Sequence, residues 1–262
     1  MAATDWLIFG LDPSLSRTGF ALMQVAKSPA EPSQAQWLAV GSIKPEKSSD
    51  PIWIRGKVMA KYLHDLLASL IQTTQQTWPF TMQQRKIGLI ISMEYPTPMN
   101  DYLVALNRII HLVFFEDDLW KRFASVHVLM TNASTLRSLM TLTKKGAKNK
   151  AENITRAYDF IDRENFPELD TDSCDAVLLS MMARHTASIL LGLDKEVPDN
   201  FRNTLCNATQ DVKGKGRNAR VITKGLLHRP EYWYSYERKP YTLCIKDAAC
   251  PKKTLQRQQF DI

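Results

Sequence analysis

Four carboxylates in this sequence stand where they could do chemistry. Asp12 closes the apolar run that opens "IFGLDPSLSRTGFALM", Glu94 closes "IGLIISME", and Asp172 and Asp175 stand three apart in "DTDSCDAVLLSMMARH". An isolated carboxylate taken out of water costs several kcal/mol unless it is paired, hydrogen-bonded or bound to metal. Acids gathered from several elements would repel one another, and a hard divalent cation resolves that conflict. Mg²⁺ takes oxygen ligands and keeps several waters. Two such ions about 4 Å apart activate an attacking water and stabilise the leaving oxygen of a phosphodiester. Plainer readings stand beside this one. Asp before Pro is a common turn opener, Glu94 can be the first solvated residue after a strand, and acids are frequent in the first turn of a helix.

The elements that must position these acids follow from hydrophobic period and punctuation. Residues 6–12 and 18–25 read as strands joined by the turn "PSLSRTG", with a loop at 26–36 and a third strand, "WLAVGSI", at 37–43. Apolar spacing over 54–74 predicts a helix with a stripe of Val58, Tyr62, Leu66, Leu67, Leu70 and Ile71. The unbroken apolar run 87–94 predicts a strand covered on both faces. A helix over 100–120, a strand at 126–130, a helix from near Ala151 and a helix over 172–191 complete the order. Three strands, then a helix, then strand–helix–strand–helix–helix is an α/β order that begins with a meander. Asp172 and Asp175 then share one face of the last helix, near its positive dipole end.

Composition bounds the class. The 262 residues are 44% hydrophobic and 23% charged, which suits a globular protein with one substantial core. No apolar run nears the roughly 20 residues of a membrane span, and the N-terminus shows no secretory signal, so no membrane partner is expected. Sparse cysteines (Cys174, Cys206, Cys244 and Cys250) without a C-x-x-C pair fit a reducing, cytoplasmic setting. A zinc site from Cys206, His228, Cys244 and Cys250 departs from the common spacings. Charge is unevenly distributed. Residues 1–194 balance 20 basic against 20 acidic side chains, so the whole excess of +7 lies in residues 195–262. A nucleic-acid partner suits that excess, because each neutralised phosphate releases counterions; a solvated tail is the plainer account.

The stretches "GLDPSLSRTGFALM", "LIISMEYPTPMN", "TKKGAKNKAENI" and "DTDSCDAVLLSMMARH" resemble the successive motifs of RuvC-type Holliday junction resolvases, within the RNase H-like superfamily, over roughly residues 6–190. The resemblance implies an RNase H-like mixed five-stranded sheet, three antiparallel strands then two parallel ones, flanked by helices. It maps Asp12, Glu94, Asp172 and Asp175 onto the family's four acidic ligands for two Mg²⁺ ions, with Mn²⁺ able to substitute. It implies a Mg²⁺-dependent endonuclease on branched DNA, serving recombination and repair, which leaves a 5′-phosphate and a 3′-hydroxyl and has no small-molecule substrate. Lys150 falls where the family carries a lysine near the scissile phosphate, and Arg137 near a DNA-contacting position. Tyr95 falls near an aromatic placed against the junction core, and Lys144, Lys145 and Lys148 lie in the basic motif as nucleic-acid contacts. A homodimer is also implied, although "MNDYLVALNRIIHLVFF" lacks the small-residue pattern of the family's dimer helix. Ser14 stands where a glycine usually follows Asp-Pro.

The expected division is a nuclease domain over 1–193 and a basic C-terminal extension over 194–262. "KGKGRNAR" (213–220) reads as a flexible loop, and "HRPEYWYSYERKPY" (228–241) as an aromatic and basic cluster suited to stacking on bases. Three other readings remain. The chain could be an RNase H-like nucleic-acid binder that has lost hydrolysis. It could be a mobile-element or phage nuclease acting on another branched or hybrid substrate. An actin-like ATPase reading of "GLDPSLSRTG" lacks a second glycine-rich phosphate motif among the ten glycines.

Overall fold

The computed structural model describes residues 5–14, 16–26, 34–44, 49–77, 87–94, 104–107, 109–110, 123–131, 133–140, 150–193, 197–206, 210–213, 220–223 and 233–235. The first three strands, β1 (Asp5–Asp12), β2 (Thr18–Ala26) and β3 (Gln34–Ile43), form an antiparallel meander. On the other side of β1, β4 (Ile87–Glu94) and β5 (Ser125–Thr131) run parallel to it. The order β3-β2-β1-β4-β5 is the expected RNase H-like mixed sheet. A sixth strand lies beyond that expectation. After a short hairpin of β6 (Gln210–Lys213) and β7 (Arg220–Thr223), the three-residue β8 (Trp233–Ser235) pairs antiparallel with β5. Lys213 and Arg220, read from sequence as the ends of a flexible loop, therefore sit on paired strands.

The helices α1 (Ile52–Thr77), α2 (Ala133–Leu139), α3 (Lys150–Ala157), α4 (Thr171–Leu191) and α5 (Asp199–Cys206) accompany the sheet. Alternation along the strands sends side chains to opposite faces. Leu7, Phe9 and Leu11 pack with Met59, Leu63 and Leu67 of α1, while Trp6 and Ile8 pack with Leu178, Leu179 and Met182 of α4. Val197, Phe201 and Leu205, around and within α5, are buried in the α4 layer.

Three sequence expectations are corrected. The expected stripe on α1 is rotated, because Val58 and Tyr62 are exposed and Met59, Ala60 and Leu63 face the sheet. Sheet contact outweighs local period where both faces of the helix carry apolar residues. The loop expected at 26–36 is shorter, since β3 begins at Gln34 and a bulge between Leu22 and Met23 lets the longer strand keep its register. Finally, α4 is long and apolar enough to cross a membrane, with mean hydropathy 1.2, although no apolar run suggested one. Of that window 72% is buried inside the protein, and the helix serves as the central core element. Residues 104–107 and 109–110 are helical, as the 100–120 reading expects, and the rest of that stretch lies outside the described residues.

Candidate active site

The acids converge because α4 lies unusually close to the sheet. A Cβ on Gly10 would sit 2.2 Å from the Ala176 carbonyl oxygen, and one on Gly19 would sit 1.9 Å from that of Asp172. Only glycine lets the backbones approach so closely. Ser180 fastens the contact by donating its hydroxyl to the Ala21 carbonyl at 3.1 Å. The approach sets the N-terminal turn of α4, with Asp172 and Asp175, beside the end of β1. On β4, Glu94 is even in count with Ile90, which faces α4. Strand alternation therefore delivers Glu94 to the same face.

The electrostatics record the convergence. Burial holds the Asp12 carboxyl well above its ordinary range, and the charges of Glu94 and Asp175, a hydrogen bond shared with Glu94 and the charge of Asp172 add to the rise. Burial also raises Glu94, against the hydrogen bond from Asp12, the Arg137 charge and the Ala133 backbone N–H at the start of α2. Asp175 is pushed up to about 6 by burial and by the charges of Glu94 and Asp172, with Asn153 and Arg137 opposing. Cys174, between these acids in sequence, is pushed up to about 12 by burial and by the charges of Asp175 and Asp170, which leaves it inert as a nucleophile.

Each acid of α4 has a partner outside the cluster. Arg17, in the turn after β1, reaches the Asp170 carboxylate at 2.6 Å and that of Asp172 at 3.7 Å. Asp170 is the N-cap of α4 and accepts from the Ser173 N–H at 2.8 Å, the Ser173 hydroxyl at 2.6 Å and the Ser42 hydroxyl at 2.5 Å. Asn153, on α3, donates from Nδ2 to Asp175 Oδ1 at 2.6 Å. Held in this way, the acids do not close into a ready cage. Among the described residues, no three His, Cys, Asp or Glu side chains are placed to hold a metal ion together. The donor chemistry does fit a hard divalent cation, as four carboxylates, the oxygen ligands such a cation takes, lie within electrostatic reach in a largely buried corner. Two buried oxygens in the same corner also lack a hydrogen-bond partner among the described residues, Asn153 Oδ1 and, in register with Glu94, Thr131 Oγ1.

Of the residues singled out from sequence, the structure brings Glu94, Asp172 and Asp175 within electrostatic reach of Asp12, and Arg137 within reach of Glu94 and Asp175. Lys150 is the first residue of α3, three positions before Asn153. Tyr95, Lys144, Lys145 and Lys148 lie outside the described residues. Sequence reasoning missed Arg17, Ser42, Asn153 and Asp170. Asp170 carried a usable signal, an Asp three residues ahead of Ser173 at a helix start. Arg17 and Asn153 carried none, because their partners lie 153 and 22 residues away.

The strand order and this corner together define an α/β protein of RNase H-like architecture with a buried carboxylate cluster at the ends of β1 and β4. No protein-family model matches the chain, and no curated protein matches it. Among solved structures, the chain is similar to Thermus thermophilus RuvC in complex with a Holliday junction substrate, at 14% identity and a TM-score of 0.44. It is similar to a second Thermus thermophilus RuvC structure, also at 14% identity, with a TM-score of 0.42. Both comparisons cover 73% of this chain and 98% of the other.

Proposed function

We propose that the chain is a divalent-metal-dependent endonuclease of RuvC-like type that cleaves branched DNA. The observation that carries the reading is the gathering of Asp12, Glu94, Asp172 and Asp175 in one corner of an RNase H-like sheet, where burial and the charges of their neighbours raise Asp12 and Asp175. Desolvated acids gathered in one corner of a fold mark a candidate functional site. Asp12, Glu94, Asp172 and Asp175 would hold two Mg²⁺ ions, which supply an activated water and charge stabilisation at the phosphodiester when bound. Arg137 would draw the phosphate backbone toward the cluster, and Lys150 would stabilise charge on the scissile phosphate. The basic stretch with Lys144, Lys145 and Lys148, together with Tyr95, would contact the branch. The sequence motifs favour a junction as substrate.

The test is cleavage of a synthetic four-way junction, flap, duplex and RNA–DNA hybrid with Mg²⁺ or Mn²⁺. The expected result is cutting of a branched substrate by the native chain and none by Asp12→Asn, with DNA binding retained or tighter because a phosphate-repelling charge is gone. Near-native cleavage by Asp12→Asn would overturn the four-acid site. A second reading, a nucleic-acid binder without hydrolysis, is the other outcome of the same test. Binding of branched DNA without cutting in either metal would favour it.

A further inference from the structure

We infer that Asn153 is a positioning residue of the carboxylate site, fixing the Asp175 side chain for cation binding; the inference rests on the proposed metal site. Asn153 lies in the first turn of α3 and is only 7% exposed. Its hydrogen bond to Asp175 Oδ1 is 2.6 Å long, short for an amide donor. Both oxygens of an ionised carboxylate accept, so only the amide NH₂ of Asn153 can face it.

The choice of side chain matters. A lysine or arginine at this place would neutralise Asp175 and compete with a cation for it. A neutral amide orients one oxygen and leaves the negative charge in place. Asn153 is itself held, because Ala157 of α3 and Ile161 just after it are buried with Cys174, Ala176 and Val177 of α4. Its own Oδ1 is buried without a hydrogen-bond partner among the described residues. Leaving a buried acceptor unmade costs roughly 1–3 kcal/mol, a cost that fold stability alone does not explain. With its NH₂ turned to Asp175, the amide's one oxygen is left free to accept from a water beside a bound cation. Partners of this kind, hydrogen-bonded to a ligand rather than to the metal, typically change metal affinity by about 10–100-fold when removed.

The test measures Mn²⁺ binding to the full chain by titration calorimetry without DNA, for the native protein, Asn153→Ala, Asn153→Leu and Asp12→Asn, beside a thermal melt of each metal-free variant. The expected result is an affinity about 10–100-fold weaker in both Asn153 variants, with melts close to native. Junction cleavage by those variants should need correspondingly more metal while recovering at saturating Mn²⁺. Native affinity in either folded Asn153 variant overturns the inference, provided Asp12→Asn has lost binding. If Asp12→Asn also binds Mn²⁺ like the native chain, the metal-site reading itself fails. If Asn153→Ala does not fold, the near-isosteric Asn153→Leu is read in its place. Failure of both to fold assigns Asn153 a structural role and rejects positioning.

Discussion

At the scale of single residues, Asp170 shows how a charge outside the cluster governs its geometry. Burial alone would raise this carboxyl. Hydrogen bonds from the Ser173 and Ser42 hydroxyls, the Ser173 N–H and Arg17 outweigh burial and bring it down to about 2. A depressed acid contributes stability above its unfolded pKa, near 3.9, and that contribution is lost as pH falls through the folded value. Asp170→Ala should therefore lower the melting temperature at neutral pH by several degrees, corresponding to about 1 kcal/mol for a lost N-cap. The difference from the native chain should shrink as pH falls from about 4 to about 2, which differential melts would reveal. A constant difference across that window would show that the helix cap, and not the charge, carries the effect. Arg17 would then lose its anchor at 2.6 Å and be left with Asp172.

At the scale of elements, the decisive contact is α4 against the sheet. Gly19→Ala puts a methyl group into the Asp172 carbonyl, and neither backbone can give without shifting the other. Overpacking of this kind typically costs about 1–3 kcal/mol. The expected outcome is a measurable loss of stability in urea unfolding, together with a disproportionate loss of cleavage, because the shift carries Asp172 and Asp175 away from Asp12. Stability lost with full cleavage retained would mean that the acids need not be set so closely. A second element-level prediction concerns β5. Burial lowers His127, tilted against the Trp6 ring at 5.4 Å, to about 4. An unfolded histidine takes its proton near pH 6.5, so the folded state loses stability as pH falls from there toward 4. The loss is at most about 3 kcal/mol for a shift of this size. His127→Leu should flatten the stability profile between those values, as urea unfolding at stepped pH would show.

At the scale of the whole molecule, buried apolar residues continue past Leu193. Val197, Phe201, Leu205 and Cys206 are buried in the α4 layer, so truncation after Leu193 strips apolar cover from the core and should lower the melting temperature. Truncation after Cys206 keeps α5 and removes residues 207–262, which carry 12 basic and 5 acidic side chains and hence the full excess of +7. If that stretch contacts DNA, the truncated chain should bind more weakly and show a shallower slope of log affinity against log salt. The loss should be similar across sequences, because phosphate contacts do not read bases. An unchanged slope with an intact melt would reject a DNA-binding extension. The same truncation removes β8 from the edge of β5, so its melt also reports how much that short strand contributes.

The sequence by itself determined the order of the first five strands and of the helices among them, and its resemblance to a known family implied the mixed sheet. Runs such as "IGLIISME" are apolar over most of their length, as a strand covered on both faces is, and the turn "PSLSRTG" makes the first two strands antiparallel neighbours. Its local period misjudged α1, because Val58 and Tyr62 fit a helical stripe as well as Met59 and Leu63 do, and only contact with the sheet chooses between them. Nor could it show why Asp172 and Asp175 lie beside Asp12. That depends on Gly10 and Gly19, whose missing side chains matter only once α4 lies across them. Arg17, Ser42 and Asn153 were equally unreadable. Each is an ordinary polar residue in its own segment, and its partner across the fold is supplied by long-range packing, to which local pattern is blind.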